Sequence, residues 1–323
     1  MSSGSAGWTP PPPAAAPTLY FVGVSTGASS IRTTFPRWAD ALGLDARLEG
    51  IDLPIHAPAA DYRAVAAWLH ADPLSRGALV TTHKIDLYEA CRDLFDVVDP
   101  AARLMGETSC LSKRGDQLVC HAKDPISSGL ALEAFVPAGH WERTGAEALL
   151  MGAGGSTIAI SWYLTRPERG ADRPSRVVVT ERSPERLEAV RRLHRELGTG
   201  VEVECVLTPS PADNDAVLAG LRPGSLVVNA TGLGKDGPGS PLTDGARFPV
   251  DALAWDLNYR GDLVFLRQAR RALEPARVHD GWVYFLHGWT QVVAEVFGVD
   301  IPTSGPGFDR LAAIAGETRG PRP

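Results

Sequence analysis

Residues 148–157 read ALLMGAGGST: an apolar run, a cluster of three glycines, then a stretch, STIAISWYL, with helical character. No other feature limits the fold as tightly. An apolar run without alternation fits a strand buried on both faces, as in a parallel sheet covered by helices. Gly152 permits a tight turn, and Gly154 lets the backbone approach a ligand closely. The helix beyond them would turn its free N–H groups and positive dipole end toward an anion. Thr157 stands where a G-x-G-x-x-G motif has its third glycine. Gly152, Ala153, Gly154, Gly155 and Ser156 are therefore candidates for cradling the pyrophosphate of a dinucleotide. A purely structural glycine turn is the weaker reading, because the strand before and the helix after are both present.

The same rhythm recurs along the chain. RVVVTERSPERLEAVRRLHREL reads as strand, turn and helix, while SLVVNATGLG and LAWDLNYRG read as buried strands ending in polar or glycine turns. Upstream, TLYFVGVS, ARLEGIDLP and GALVT alternate with the helical stretches FPRWADALGL, DYRAVAAWLHA and IDLYEACRDLF. The expected fold is α/β with two domains: a catalytic α/β domain with a mostly parallel sheet, and a doubly wound (Rossmann) NAD(P)-binding domain. The expected organisation is a disordered Pro-rich tail (1–17), a substrate domain (18–125), a dinucleotide-binding domain (126–280), helices returning to the first domain (281–315) and a disordered tail (316–323).

Composition excludes several classes. A net charge of -6 argues against nucleic-acid and anionic-membrane partners, and there is no basic block. No apolar run of about 18 residues is present to span a membrane, and no signal peptide is read. Cys91, Cys110, Cys120 and Cys205 form no CxxC pair, which suits reduced thiols in a cytoplasmic protein. No histidine pair has metal-ligand spacing on one helix, so no metal is expected. The expected partner is a small-molecule substrate, and a homodimer is admitted.

The strand RVVVT ends in Glu181 and Arg182. A carboxylate there can accept hydrogen bonds from ribose hydroxyls and repel a 2′-phosphate, favouring NAD. Arg182 pulls toward NADP, since it can pair with a phosphate. Both residues would also suit the start of a solvated helix. NAD is the preferred expectation and NADP the alternative.

Lys84 ends the apolar run of GALVTTHK, and Asp124 follows that of LVCHAKD. Hydride transfer to a ketone needs a proton for the developing alkoxide, and the reverse needs a base. On spacing alone, a surface lysine and a helix-capping aspartate are the commoner outcome. The chain, however, resembles the shikimate dehydrogenase family over nearly all its ordered length. The resemblance runs through GVSTGASSI, GALVTTHK, MGETSCLS, CHAKD, LLMGAGGSTIAI, VTERS, VVNATGLG, DLNYRG and GWVYFLHG. It implies a catalytic domain split across both chain ends with an inserted Rossmann domain, and a catalytic pair at Lys84 and Asp124. It also implies that Asn229, Ala230, Thr231 and Gly281 bind cofactor, and that Tyr259 lines the substrate site.

The departures from the family pattern fall on the substrate side. Where the family's carboxylate loop has two serines separated by one residue, this chain has Ser29-Ser30-Ile31-Arg32, so Ser29 remains and Arg32 is a new candidate for holding a carboxylate. The lysine motif is one residue shorter and lacks its asparagine, leaving Thr81 or Thr82 in the threonine role. Ser109-Cys110 replaces an asparagine–threonine pair, and Ala122-Lys123 precedes Asp124 in place of another. The C-terminal glutamine position falls on Gly288, with Gln291 one helical turn later. His83 and His121 are more often packing residues than ligands. Losing hydroxyl contacts should change the substrate, so the expectation is a shikimate-dehydrogenase-like oxidoreductase acting on a cyclic polyol or hydroxy-acid. A genuine shikimate or quinate dehydrogenase is the close alternative. A non-catalytic NAD(P)-binding regulatory protein is the rival from another class, and the methylenetetrahydrofolate dehydrogenase motifs fit less well.

Overall fold

The computed structural model describes residues 7–235 and 237–319, so residues 1–6 and 320–323 of the two expected tails lie outside it. By contact the chain divides into two compact units. One comprises the residues up to Lys123 together with those from Gly288 onward, and the other is Asp124–His287.

The first unit holds β1 (Thr18–Gly23), α1 (Ile31–Leu42), β2 (Arg47–Asp52), α2 (Ala59–Ala71), β3 (Ser75–Val80), α3 (Lys84–Cys91), β4 (Val97–Val98), α4 (Pro100–Met105), β5 (Cys110–Arg114) and β6 (Gln117–His121). Its sheet has the order β2-β1-β3-β5-β6-β4. The sheet is mostly parallel, as the sequence led us to expect, with one exception: β5 runs antiparallel to both β3 and β6. The cause is local, a two-residue Gly115-Asp116 connection with Gly115 at φ 60° that folds β5 and β6 into a hairpin. In α1 the apolar residues Ile31, Phe35, Trp38 and Ala39 lie on one buried face, and Gly43 closes the helix in the left-handed region. Tyr20, Val22, Val65, Leu69, Leu87, Leu111 and Leu118 fill the core between sheet and helices.

Residues 7–16 do not behave as the disordered tail expected of their composition. Trp8 packs edge-on against Trp68 at 5.9 Å between ring centroids. Its N–H donates to Asp61 (2.9 Å), and that of Ala14 donates to Asp72 (2.9 Å). The proline run presents few N–H groups, and the two that flank it, on Trp8 and Ala14, find carboxylates. At the other end α12 (Gly305–Thr318) extends into the segment expected to be disordered from 316, and packs on α1 with Trp38 Nε1 donating to the Leu311 carbonyl at 2.8 Å.

The second unit holds α5 (Asp124–Glu133), α6 (His140–Thr144), β7 (Ala148–Met151), α7 (Gly155–Thr165), β8 (Arg176–Glu181), α8 (Pro184–Leu197), β9 (Glu202–Leu207), α9 (Pro211–Ala219), β10 (Leu226–Asn229), β11 (Leu253–Asp256), α10 (Val264–Ala272) and β12 (Val278–His279). All six strands are parallel, in the order β12-β11-β10-β7-β8-β9. Counted from β7 this is the 3-2-1-4-5-6 order of the doubly wound dinucleotide fold, with its switch point between β7 and β10. The last long helix, α11 (Trp282–Phe297), begins in this unit and ends in the first. The division therefore falls at 287/288, inside the helix, where the sequence reading put 280/281. The first turns of α11 pack on the second unit: Gly281 N–H donates to Asn258, and Tyr284 stacks edge-on against Trp255.

Trp8→Ala should lower the unfolding free energy by about 1–2 kcal/mol through lost burial. Urea unfolding measures this, and an unchanged midpoint would mean that the Pro-rich segment does not dock.

Candidate active site

In the second unit the cofactor candidates gather at the switch point. β7 pairs with β10 so that Met151 lies beside Asn229, which brings the Gly152 loop against the Ala230-Thr231 loop. Gly152 has φ 99°, and a Cβ there would lie 2.9 Å from the Ala230 carbonyl, so both conformation and space demand glycine. Gly154 precedes α7 with extended backbone, and no side chain caps the helix. A Cβ on Gly154 would meet nothing within 4 Å. The first turn of α7 thus begins without a side-chain cap and with open space beside Gly154, as a pyrophosphate cradle requires.

Glu181, at the end of β8, accepts from the Ala153 N–H (3.0 Å) with one oxygen and from the Arg182 N–H (2.7 Å) with the other. The Arg182-bound oxygen also accepts from the Ser183 N–H (3.3 Å), so the carboxylate is fixed beside the glycine loop and the oxygen facing Ala153 keeps lone-pair capacity for a ribose hydroxyl. The Arg182 side chain is exposed. The residues present thus fit a dinucleotide. Ser156 receives a long hydrogen bond from the Tyr284 hydroxyl (3.5 Å). Gly281 has a different reason to be glycine: a Cβ would sit 1.9 Å from the Leu257 carbonyl, and its N–H is already engaged by Asn258. Tyr259 joins an aromatic group with Trp282 (5.4 Å) and Phe285 (4.8 Å). Asp124 is buried at the first position of α5.

Asn229 is fully buried. Its Oδ1 accepts from Thr231 N–H and hydroxyl (3.1 and 2.7 Å), while its Nδ2 donates to Asp256 Oδ1 at 3.1 Å. Asp256 was not among the sequence candidates, although its signal, an acid ending the apolar strand LAWD, matches that of Asn229 ending LVVN. Burial raises the Asp256 carboxyl to about 7 and the nearby Asp280 adds to this, against the pull of hydrogen bonds from Asn258 and Asn229. Asp256 Oδ2 is buried with no hydrogen-bond partner, which suits the protonated acid.

In the first unit the sheet brings Lys84, Ser109 and Lys123 to one end. The Thr108 N–H donates to the Lys84 carbonyl (3.1 Å), and the Lys123 N–H to Ser109 Oγ (2.7 Å). Thr81 N–H bonds the Val22 carbonyl at 3.0 Å beside them. Thr82 is exposed and takes φ 59°. Ser29 is buried after a short 3-10 turn, next to a fully buried Ile31. Arg32 turns to β2 instead: its guanidinium donates to the Leu48 carbonyl (3.1 Å) and lies 3.5 Å from Glu49. Gln291 lines a cavity of about 530 Å³ with Lys113, Arg114, Lys123 and Glu295. Glu295 binds Lys123 (2.6 Å) and Arg114 (2.7 Å). Burial pushes its carboxyl up, but those two hydrogen bonds outweigh it and hold the group at about 2. His121 packs in the same network, against Ser112 (2.8 Å), Asp99 (3.4 Å) and Glu295 (3.5 Å). The described residues contain no cluster of three or more His, Cys, Asp or Glu side chains fit to hold a metal. Among the described residues no helix is long and apolar enough to cross a membrane.

Asp256 gives a testable pH dependence. The folded chain keeps its proton at pH values where an unfolded aspartate has released it, so this group makes stability fall as pH rises from ~4 to about 7. Asp256→Asn should remove that slope and gain on the wild type at pH 8 relative to pH 4. Urea midpoints at the two pH values decide it, and parallel profiles would show that the acid is not held protonated.

No family model matches the chain. It is 30% identical over 239 residues, 73% of its own length and 77% of the relative's, to a shikimate dehydrogenase (NADP(+)) of Methanothrix thermoacetophila. It is 29% identical over 274 residues to the shikimate dehydrogenase (NADP(+)) of Methylobacterium radiotolerans, covering 84% of this chain and 88% of that one. Among solved structures, a shikimate dehydrogenase in complex with NADP+ aligns with a TM-score of 0.71 at 17% identity, covering 95% of this chain and 96% of its own. The quinate dehydrogenase of Corynebacterium glutamicum in complex with NAD aligns at 0.72 and 18% identity, with 94% and 99% covered. These structures share the fold, and the sequence relatives establish the lineage: the chain belongs to the shikimate dehydrogenase family.

Proposed function

We propose that the chain is an NAD(P)-dependent oxidoreductase that interconverts a ring hydroxyl and a ring carbonyl of a cyclic polyol or hydroxy-acid. What carries the reading is the glycine loop fixed beside Asn229 at the switch point of a six-stranded parallel sheet, in a chain of this family that keeps a lysine at position 84 and an acid at position 124. When bound, the nicotinamide cofactor supplies or accepts the hydride. Gly152–Ser156 would hold its pyrophosphate, Glu181 a ribose, and the Asn229–Thr231 loop the nicotinamide side. Lys84 gives its ammonium proton to the developing alkoxide in reduction and takes the hydroxyl proton in oxidation. Asp124 would accept a hydrogen bond from the substrate hydroxyl.

The altered loop around Ser29, Ile31 and Arg32 supports a substrate other than shikimate, because Arg32 is engaged by β2 and Ile31 is wholly buried. Gly288 supports it too: a Cβ there would meet nothing within 4 Å, so this helix position leaves space rather than a hydrogen-bond donor. A genuine shikimate or quinate dehydrogenase is the second reading, favoured by the activities named for the relatives. NAD is the preferred cofactor on the strength of Glu181, whose fixed carboxylate would repel a 2′-phosphate.

Nicotinamide absorbance at 340 nm, with NAD and NADP against cyclitols and cyclic hydroxy-acids including shikimate and quinate, tests the reading. Turnover should be greatest with NAD and a compound other than shikimate. Robust turnover of shikimate with NADP would move the assignment to the second reading. Lys84→Ala should abolish turnover and leave cofactor binding intact, and an active variant would sink the mechanism. Glu181→Ser should shift the NADP:NAD ratio of kcat/KM upward by roughly tenfold or more. An unmoved ratio would remove Glu181 from cofactor choice.

A further inference from the structure

A strained backbone residue lies two positions before Lys84. Thr82 holds φ 59°, a left-handed conformation in which a β-branched side chain is a genuine outlier. The His83 N–H closes back on the Thr81 carbonyl at 2.5 Å, so Thr82 is the centre of a γ-turn in its rarer, positive-φ form. Such a conformation persists only where its surroundings over-determine it. The described residues include just three other non-glycine residues with positive φ: His56, Asp251 and Leu263.

His83 supplies the surroundings. Its ring is 1% exposed. Nδ1 lies 2.9 Å from the hydroxyl of Tyr62, itself buried on α2. Nε2 is buried without a hydrogen-bond partner, and the carbonyls of Gly23, ending β1, and Leu53, just past β2, lie near the ring. The Tyr62 hydroxyl and Nδ1 share one hydrogen bond whose direction follows the imidazole tautomer. Burial lowers the imidazole pKa, against the pull of those carbonyls, and keeps the ring neutral. Downstream, the His83 carbonyl accepts from Leu87 (2.8 Å) and the Lys84 carbonyl from Thr108 (3.1 Å). The first residue of α3 is therefore gripped on both sides.

We propose that His83, seated by Tyr62, is a positioning residue for Lys84: the buried imidazole keeps Thr82 in its strained turn, and that turn fixes where the lysine leaves the strand end. The inference rests on the reading of Lys84 as the acid/base. A proton relay through the same groups is a different matter. The Tyr62 hydroxyl lies 3.5 Å from Asp86, which binds His56 at 2.9 Å, so the outer end reaches solvent. The inner end, Nε2, has no hydrogen-bond partner to take the proton onward.

The test compares kcat, KM, cofactor Kd from nicotinamide fluorescence and Tm for wild type, Lys84→Ala, His83→Phe, Tyr62→Phe and the double variant His83→Phe/Thr82→Gly. The substrate is the panel compound that the wild type turns over. His83→Phe and Tyr62→Phe should each lower kcat by about tenfold to hundredfold with cofactor Kd unchanged. Adding Thr82→Gly to His83→Phe should recover much of that loss, because glycine adopts the left-handed turn unaided. A folded His83→Phe chain with kcat within about twofold of wild type overturns the proposal. So does a kcat loss that Thr82→Gly leaves in place, since the imidazole would then act chemically. If His83→Phe does not fold, Tyr62→Phe decides alone: lowered kcat at constant Kd supports positioning, and unchanged kcat overturns it. Turnover surviving in Lys84→Ala would fell the parent reading. Lost turnover there with wild-type rates in the other variants would fell only the positioning role.

Discussion

The pairing of β7 with β10 is the constraint on which the cofactor side depends. Parallel strands in this register end level, so the turns after Met151 and Asn229 must pass each other at backbone distance. Only a residue without a Cβ fits at Gly152, and the Ala230 carbonyl occupies the place a side chain would take. The same approach leaves the N-terminus of α7 without a side-chain cap and with open space beside Gly154. An anion site follows from sheet register before any side chain contributes. Glu181 then ties the glycine loop to the end of the adjacent strand.

How much of this could be read in the sequence follows from how each constraint is written. Strands buried on both faces appear as continuous apolar runs, so β7, β8, β10 and β11 were legible, as was the glycine loop between strand and helix. The β5–β6 hairpin was not, because its cue is the single dipeptide Gly115-Asp116 inside a stretch that also reads as one edge of a parallel sheet. The docking of residues 7–16 was hidden by composition: proline-rich sequence looks disordered, and the contacts that order it come from Trp68, Asp61 and Asp72, over fifty residues away. Gly281 was named only as a cofactor candidate; the reason the position must be glycine, the Leu257 carbonyl, is visible only in three dimensions. Asp256 was missed because a buried acid is improbable on composition. It becomes reasonable only once two asparagines are seen to engage one of its oxygens.

The first unit handles charge differently. Lys123, directly before Asp124 in the chain, turns its ammonium to Glu295, where Arg114 shares the same carboxylate. A half-buried acid with two cationic partners is stable as a network, whereas removing one partner would leave a costly uncompensated charge. The lysine is thus tied at both ends, by Ser109 at its backbone and Glu295 at its side chain. Lys84 is located by a different device, since its neighbours hold it through backbone geometry and a neutral imidazole.

These devices explain why departures from the family pattern gather on the substrate side. The phosphate cradle is made by backbone in a fixed register, and a substitution at Gly152 would have to move two strands. Each unit also has its own core, so changes around Ser29, Thr82 or Gly288 leave the packing around Leu149, Met151 and Val227 untouched. The candidate substrate residues stand at strand ends and on one helix face, where chemistry can change while the sheet persists. Gly288 shows the limit of that freedom. A glycine inside a helix costs about 1 kcal/mol relative to alanine, and neither a positive φ nor a close neighbour calls for one there. Packing gives no reason for it, so the reason lies in the space it leaves open, on the helix face that one turn later carries Gln291.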